Sequence, residues 1–168
     1  MQPHGSVLNI IRILATVKLH IDQKPKIMND IISKEQVFKS PIDVVWNAIT
    51  KAEEISIWLE PTNFKAVKGF RYVINAKAGD CPPIVGEVLE ADPYTLRYSW
   101  IIEANPVETI VKWVLEEVEG GTKLYLEHSG IASYSGEDAI AMFNSFSGGW
   151  KRCLDGISKL LQTEINAR

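Results

Sequence analysis

The chain has 168 residues, a net charge of −3, and 46% apolar against 23% charged residues, which suits one domain with a real core that buries roughly two-thirds of its unfolded surface. The basic residues are scattered, which excludes the clustered Lys/Arg footprint of a nucleic-acid or membrane-surface binder. The two cysteines, Cys81 and Cys153, form no CxxC; this excludes a four-ligand structural zinc site and reads as two free thiols in a reducing, cytoplasmic setting.

The chain opens on an apolar stretch, Val7 to Ile21, that carries Arg12, Lys18 and His20. It is too short and too charged for a membrane span, which takes about 20 mainly apolar residues. It also lacks the basic start and small-residue cleavage site of a signal peptide. From Ile11 to Ile21 apolar and polar positions alternate, which predicts a half-buried strand, ended by Gln23, Lys24, Pro25 and Lys26.

Residues 31–38 (IISKEQVF) read as a first core strand. Ser40 is the expected N-cap of the helix that follows, with Pro41 in its first turn and Asp43 near its positive end. Val45, Trp46 and Ile49 supply its apolar face. A second short helix is expected from Ala52 to Leu59, with Ile55, Trp58 and Leu59 on one side, and Pro61 ends it.

The period then becomes two. Phe70, Tyr72, Ile74 and Ala76 alternate with Arg71, Val73, Asn75 and Lys77, and Gly79, Asp80, Pro82 and Pro83 turn the chain. Strands are expected at 85–91, with Leu96, Tyr98, Trp100 and Ile102 on one face of the next, and with Val111, Trp113 and Leu115 on one face of another. Asn105-Pro106 reads as a turn and Gly120-Gly121 as a hairpin. Leu124, Leu126 and His128 share a face of the last strand. Short connections between such strands imply an antiparallel meander with one buried face.

After Gly136 the period is helical to the end. Ala139, Phe143, Phe146, Trp150, Leu154, Ile157 and Leu161 form one apolar stripe, interrupted by Gly148-Gly149. Two glycines inside a helix call for a close approach to another element or a local kink. A curved sheet with one apolar face needs a cover, and this helix is the element long enough to provide it.

This order of elements resembles the SRPBCC (START-like, helix-grip) superfamily, and within it the homologues of the heat-shock protein 90 ATPase activator. The resemblance is carried by SPIDVVWNAIT at 40–50, AEEISIWL at 52–59, GEVLEADPYTLRYSW at 86–100, GGTKLYLEHSGI at 120–131 and GGWKRCLDGISKLL at 148–161. It implies an α+β helix-grip fold: a curved antiparallel sheet of about seven strands around the C-terminal helix, two short helices after the first strand, and a cavity between. On this reading 1–28 is an extension whose structure the sequence leaves open, and 29–168 is the START-like domain. Either Met28 is the natural start, or the earlier residues add an edge strand or helix.

The cavity implied by the resemblance would be lined by Trp58, Tyr72, Trp100, Trp113, His128, Phe143, Phe146 and Trp150. Each ring could equally be plain core, since inward strand positions fill cores by default. An inward His128 could move a proton or orient a ligand's polar group; the rival is a buried histidine bonded to its neighbours. If it serves a ligand, His128→Ala weakens binding more than folding. Glu53, Glu54, Glu87 and Glu90 read as solvated surface. Ser129 follows His128 but points to the other face, so no catalytic dyad forms. The chain has no GxSxG, phosphate-binding loop or dinucleotide fingerprint. Cys81, beside Pro82-Pro83, is placed near the cavity mouth by the resemblance, with no cation to activate it.

These readings combine into a non-catalytic binder of a small apolar or amphipathic molecule, monomeric or homodimeric, without metal, cofactor or nucleic acid. One alternative is a polyketide cyclase-like or hydrolase-like enzyme with His128 as acid or base. Another is a protein-binding module acting on a chaperone or another protein; the eukaryotic activator's separate chaperone-binding domain has no room in this chain.

Overall fold

The computed structural model describes residues 30–75 and 82–166. The expected strand at 11–21, the choice of start at Met28, strand positions 76 and 77, and the Cys81 loop all lie outside the described residues.

Among the described residues six antiparallel strands form one sheet. They are β1 (Ile32–Phe38), β2 (Arg71–Ile74), β3 (Ile84–Asp92), β4 (Thr95–Ile102), β5 (Asn105–Val118) and β6 (Gly121–Ser129), in the order β1-β6-β5-β4-β3-β2. β2 to β6 are a meander, and β1 adds beside β6 with Ile32 opposite His128 and Phe38 opposite Thr122. Where about seven strands were expected, the segment after the short helices makes only isolated bridges, Lys51 with Lys65 and Thr62 with Ile74. The inward face is set by alternation: Tyr72 and Ile74, Val88, Leu96 with Tyr98 and Trp100, Val111 with Trp113 and Leu115, and Leu124 with Leu126 and His128 are all buried.

The two short helices are α1 (Ile42–Thr50) and α2 (Ala52–Trp58), joined at the extended residue Lys51. Ile42, Val45, Ala48 and Ile49 turn the apolar stripe of α1 inward. Ser40 does not cap it. Pro41 is the N-cap, with no side-chain cap bond, and the buried Ser40 hydroxyl has no partner. Ser40 sits one residue too early, and its carbonyl is held by Thr122 Oγ1 at 2.8 Å, which ties the start of α1 to β6.

β5 begins at Asn105, so Asn105-Pro106 opens a strand and the turn falls on Glu103 and Ala104. Proline is tolerated there because the first residues of a strand need not donate to the ladder. The extension places Thr109 on the inward face, fully buried.

The last helix, α3 (Glu137–Asn166), runs 30 residues without a break. Ala139, Phe146, Trp150, Cys153, Leu154, Ile157 and Leu161 are buried, and Phe143 is half-buried. The expectation of a close approach at Gly148-Gly149 is corrected: a Cβ there would meet only the Arg152 guanidinium, at 3.7 and 3.9 Å. The close approach is at Gly156, where a Cβ would lie 3.0 Å from Trp58 Cβ. That contact seats α2 on α3, and Trp58 Nε1 donates to the Ala48 carbonyl at 2.8 Å to hold the indole in place. On the other side, the inward polar residues of β1 meet α3: Lys34 Nζ donates to Ser147 Oγ at 3.3 Å and Gln36 Nε2 to Ser158 Oγ at 2.5 Å.

Candidate functional site

Strand alternation and the α3 stripe bring most of the expected residues into one aromatic layer between helix and sheet. Trp58 meets Trp113 at 6.0 Å between centroids, Trp113 meets Trp150 at 5.5 Å, and Trp150 meets Trp100 at 5.3 Å. The His128 ring lies 4.5 Å from Phe146 and 6.0 Å from Trp100. Tyr72 joins through Tyr98, at 5.5 Å. Phe143 is half-buried and packs against the core. Edge-to-face packing of this kind suits the ring quadrupoles and adds to burial.

The polar tips in the layer are almost all paired. Trp150 Nε1 donates to His128 Nδ1 at 2.9 Å, and His128 Nε2 lies 2.7 Å from Thr109 Oγ1. An indole N–H can only donate, so Nδ1 is the unprotonated nitrogen and Nε2 carries the proton, donated to Thr109. Thr109 Oγ1 passes its own hydrogen to the Trp100 carbonyl at 3.0 Å. One relay thus links α3, β6, β5 and β4, with every donor spent. Trp113 Nε1 donates to Tyr98 Oη at 2.9 Å, and Tyr72 Oη donates to the Ser99 carbonyl at 2.7 Å.

That last bond exists because residue 86 is glycine. A Cβ at Gly86 would fall 2.0 Å from the Ser99 carbonyl oxygen and 2.7 Å from Tyr72 Oη. β3 and β4 are irregular nearby, with a register shift between Val88 and Glu90.

Burial governs the titrating groups. It lowers His128 to a pKa of about 4, so the imidazole is neutral at pH 7. It raises the Tyr72 and Tyr98 phenols, and it pushes the Cys153 thiol up to about 11 against the opposing charge of Arg152. The carboxylates set aside as surface are exposed or half-buried: Glu87 pairs with Arg71 at 3.4 Å and Glu90 with Arg97 at 3.6 Å. Among the described residues no cluster of His, Cys, Asp and Glu is placed to hold a metal, and no helix is long and apolar enough to cross a membrane.

Two buried polar atoms in the layer have no partner, Trp100 Nε1 and Tyr134 Oη. Both rings pack against Phe146, at 6.5 and 6.2 Å. At the Tyr72 end of the layer, the void bounded by Ile49, Trp58, Phe64, Tyr72 and Tyr98 holds about 10 Å³, room for one water at most.

Four members of the layer were not among the expected lining residues. Tyr98 lies on an inward strand position that the alternation does mark. Thr109 was hidden by reading Pro106 as a turn. Phe64 and Tyr134 sit outside regular strands and helices, where no periodicity points to them.

Residues 39–162 match the model of the family described as activator of Hsp90 ATPase homolog 1-like protein. No curated protein matches the sequence. Among solved structures, the chain is similar to protein MLL2253 from Mesorhizobium loti, with 27% identity and a TM-score of 0.71 over 79% of this chain and 97% of that one. It is similar to CalU16 from Micromonospora echinospora, with 25% identity and a TM-score of 0.64 over 82% and 79%. Protein BH1534 from Bacillus halodurans shares the fold, with 24% identity and a TM-score of 0.65 over 78% and 96%.

Proposed function

The chain belongs to the activator of Hsp90 ATPase homolog 1-like family, of SRPBCC helix-grip type, and we propose that it holds a small hydrophobic or amphipathic molecule between α3 and the sheet without transforming it. The supporting observation is the uneven burial of α3. Its second half anchors the fold through Trp150, Cys153, Leu154, Ile157 and Leu161. From Glu137 to Ser147 only Ala139 and Phe146 are buried. This first half roofs the Trp100–His128 end of the aromatic layer. Since hydrophobic stabilisation scales with buried apolar area, little is lost when the roof lifts. A ligand can then replace ring–ring contacts with ring–ligand contacts.

In this reading Trp100, Phe143, Phe146 and Trp150 are the near walls. Trp113, Trp58 and Tyr72 are the deeper ones. His128 is a positioning residue: its two nitrogens are spent on Trp150 and Thr109, so it orients the wall and has no lone pair left for a substrate proton. A neutral imidazole without a second titrating partner does not favour acid–base chemistry.

The test is native mass spectrometry of the purified protein, followed by denaturing extraction, with titration of an uncharged naphthalene probe into the apo protein. A co-purifying small molecule, or saturable probe binding that Phe146→Trp blocks, supports the reading. A clean apo mass together with no saturable binding sinks it.

A further inference from the structure

We infer that the ligand of this site enters with an uncharged end bearing a hydrogen-bond acceptor, a carbonyl or ether oxygen, which takes the place of the Phe146 ring and is bound by Trp100 Nε1 with Tyr134 Oη as its second contact. The inference rests on the binding reading above and adds the chemical class of the ligand.

The two unpaired atoms are the starting point. Trp100 is 5% exposed and Tyr134 is 2% exposed, yet neither polar tip has a partner. A buried donor without an acceptor is unfavourable, and native cores rarely keep one without a reason. The neighbouring tips show that this layer can satisfy its donors, since the indoles of Trp58, Trp113 and Trp150 all donate. Both exceptions pack on one side chain, Phe146. Phe146 belongs to the lightly buried half of α3, so it is the ring that moves when the roof lifts.

The identity of the orphans sets the ligand's chemistry. An indole N–H donates and cannot accept; a phenol does either. The complementary group is therefore an acceptor. Charge is disfavoured by what surrounds it. The imidazole nearest Phe146 is neutral with both nitrogens occupied, and among the described residues no Lys, Arg, Asp or Glu is buried. The inward cation on β1, Lys34, is only half-buried and sits at Ser147 Oγ, outside the buried layer. A carboxylate end would lose its hydration without gaining a counter-charge.

The experiment uses three matched probes on the full chain: 2-acetylnaphthalene, 2-ethylnaphthalene and 2-naphthoate, each titrated into wild type and Trp100→Phe. Wild type binds the ketone more tightly than the carboxylate. Trp100→Phe weakens the ketone about tenfold more than the ethyl compound, the loss of one buried hydrogen bond beyond the wall area that both probes lose. Where Trp100→Phe does not fold, the Trp100 indole N–H resonance of wild type decides: it moves downfield with the ketone and not with the hydrocarbon. Equal losses for ketone and hydrocarbon, an unmoved indole resonance, or tighter naphthoate binding overturns the inference and leaves the binding reading standing. No binding of any probe overturns the inference, and together with a clean apo mass it overturns the binding reading as well.

Discussion

Trp150 Nε1 donates to His128 Nδ1 at 2.9 Å, and this contact sets the protonation state of the only histidine among the described residues. A second proton on the imidazole would have to sit on Nδ1, facing a donor that cannot accept it. Burial acts in the same direction and lowers the pKa from 6.5 to about 4.

The pH dependence of stability follows. Between about pH 4 and 6.5 the unfolded chain binds the His128 proton and the folded one does not, so stability rises with pH across that window. The contribution is complete above about 6.5, is lost as pH falls toward 4, and does not fall further below it. The span corresponds to about 3 kcal/mol. Urea unfolding at pH 7.0 and 4.5 measures it, with His128→Gln as the reference for every other group. An identical pH dependence in the two proteins would show that His128 does not carry it.

The same network predicts what truncation does. His128→Ala leaves the buried Trp150 N–H without an acceptor and Thr109 without a donor, and opens a cavity beside Phe146, at a cost of about 2–4 kcal/mol. Its effect on ligand affinity should then be no greater than its effect on stability, the reverse of what a ligand-contacting histidine gives. Calorimetric unfolding paired with probe titration compares the two losses directly. A His128→Ala protein of unchanged stability that no longer binds would restore the contact role.

Glycines at two places in α3 should respond with opposite sign. At Gly148 and Gly149 a Cβ finds ordinary contact distances, so Gly148→Ala and Gly149→Ala should each stabilise by about 1 kcal/mol through helix propensity. At Gly156 the new methyl meets Trp58 Cβ at 3.0 Å, and displacing α2 should offset that gain or exceed it. Equilibrium denaturation of the three variants gives the signs. The double variant Gly148→Ala/Gly149→Ala also stiffens the junction between the two halves of α3, so probe association should slow while unfolding becomes harder.

These contrasts mark what could be read from the residues and what could not. Alternation placed Trp100, Trp113 and His128 on the inward face because side chains on a strand have a strict period, and the stripe from Ala139 to Leu161 named the gripping helix for the same kind of reason. The light burial of Glu137–Ser147 was not in that pattern, because Ala139, Phe143 and Phe146 continue the stripe at the same spacing. Ser40 misled because capping depends on one residue of register that composition does not carry; Thr122 had claimed its carbonyl. Tyr134 and Phe64 were unreadable because loops have no period. The Trp150–His128–Thr109 relay joins positions 150, 128 and 109, and only the packing of α3 across the sheet brings them together. The glycines at 148 and 149 drew notice as a pair, whereas the one with a neighbour to accommodate, Gly156, is a single glycine in an otherwise ordinary helix.

Gly86 tests how tightly the β3–β4 junction is built. Its missing side chain lets Tyr72 Oη reach the Ser99 carbonyl at 2.7 Å. Gly86→Ala must move the strand backbone or expel the phenol, and should cost about 2–3 kcal/mol. Tyr72→Phe removes only the hydrogen bond and should cost about 1 kcal/mol. Because Gly86→Ala already breaks that bond, adding Tyr72→Phe to it should cost little more, and the double variant should fall well short of the sum. Urea denaturation of the two single variants and the double closes the cycle. Full additivity would mean that the phenol and the glycine act independently, and the close approach at residue 86 would then need another beneficiary than Tyr72.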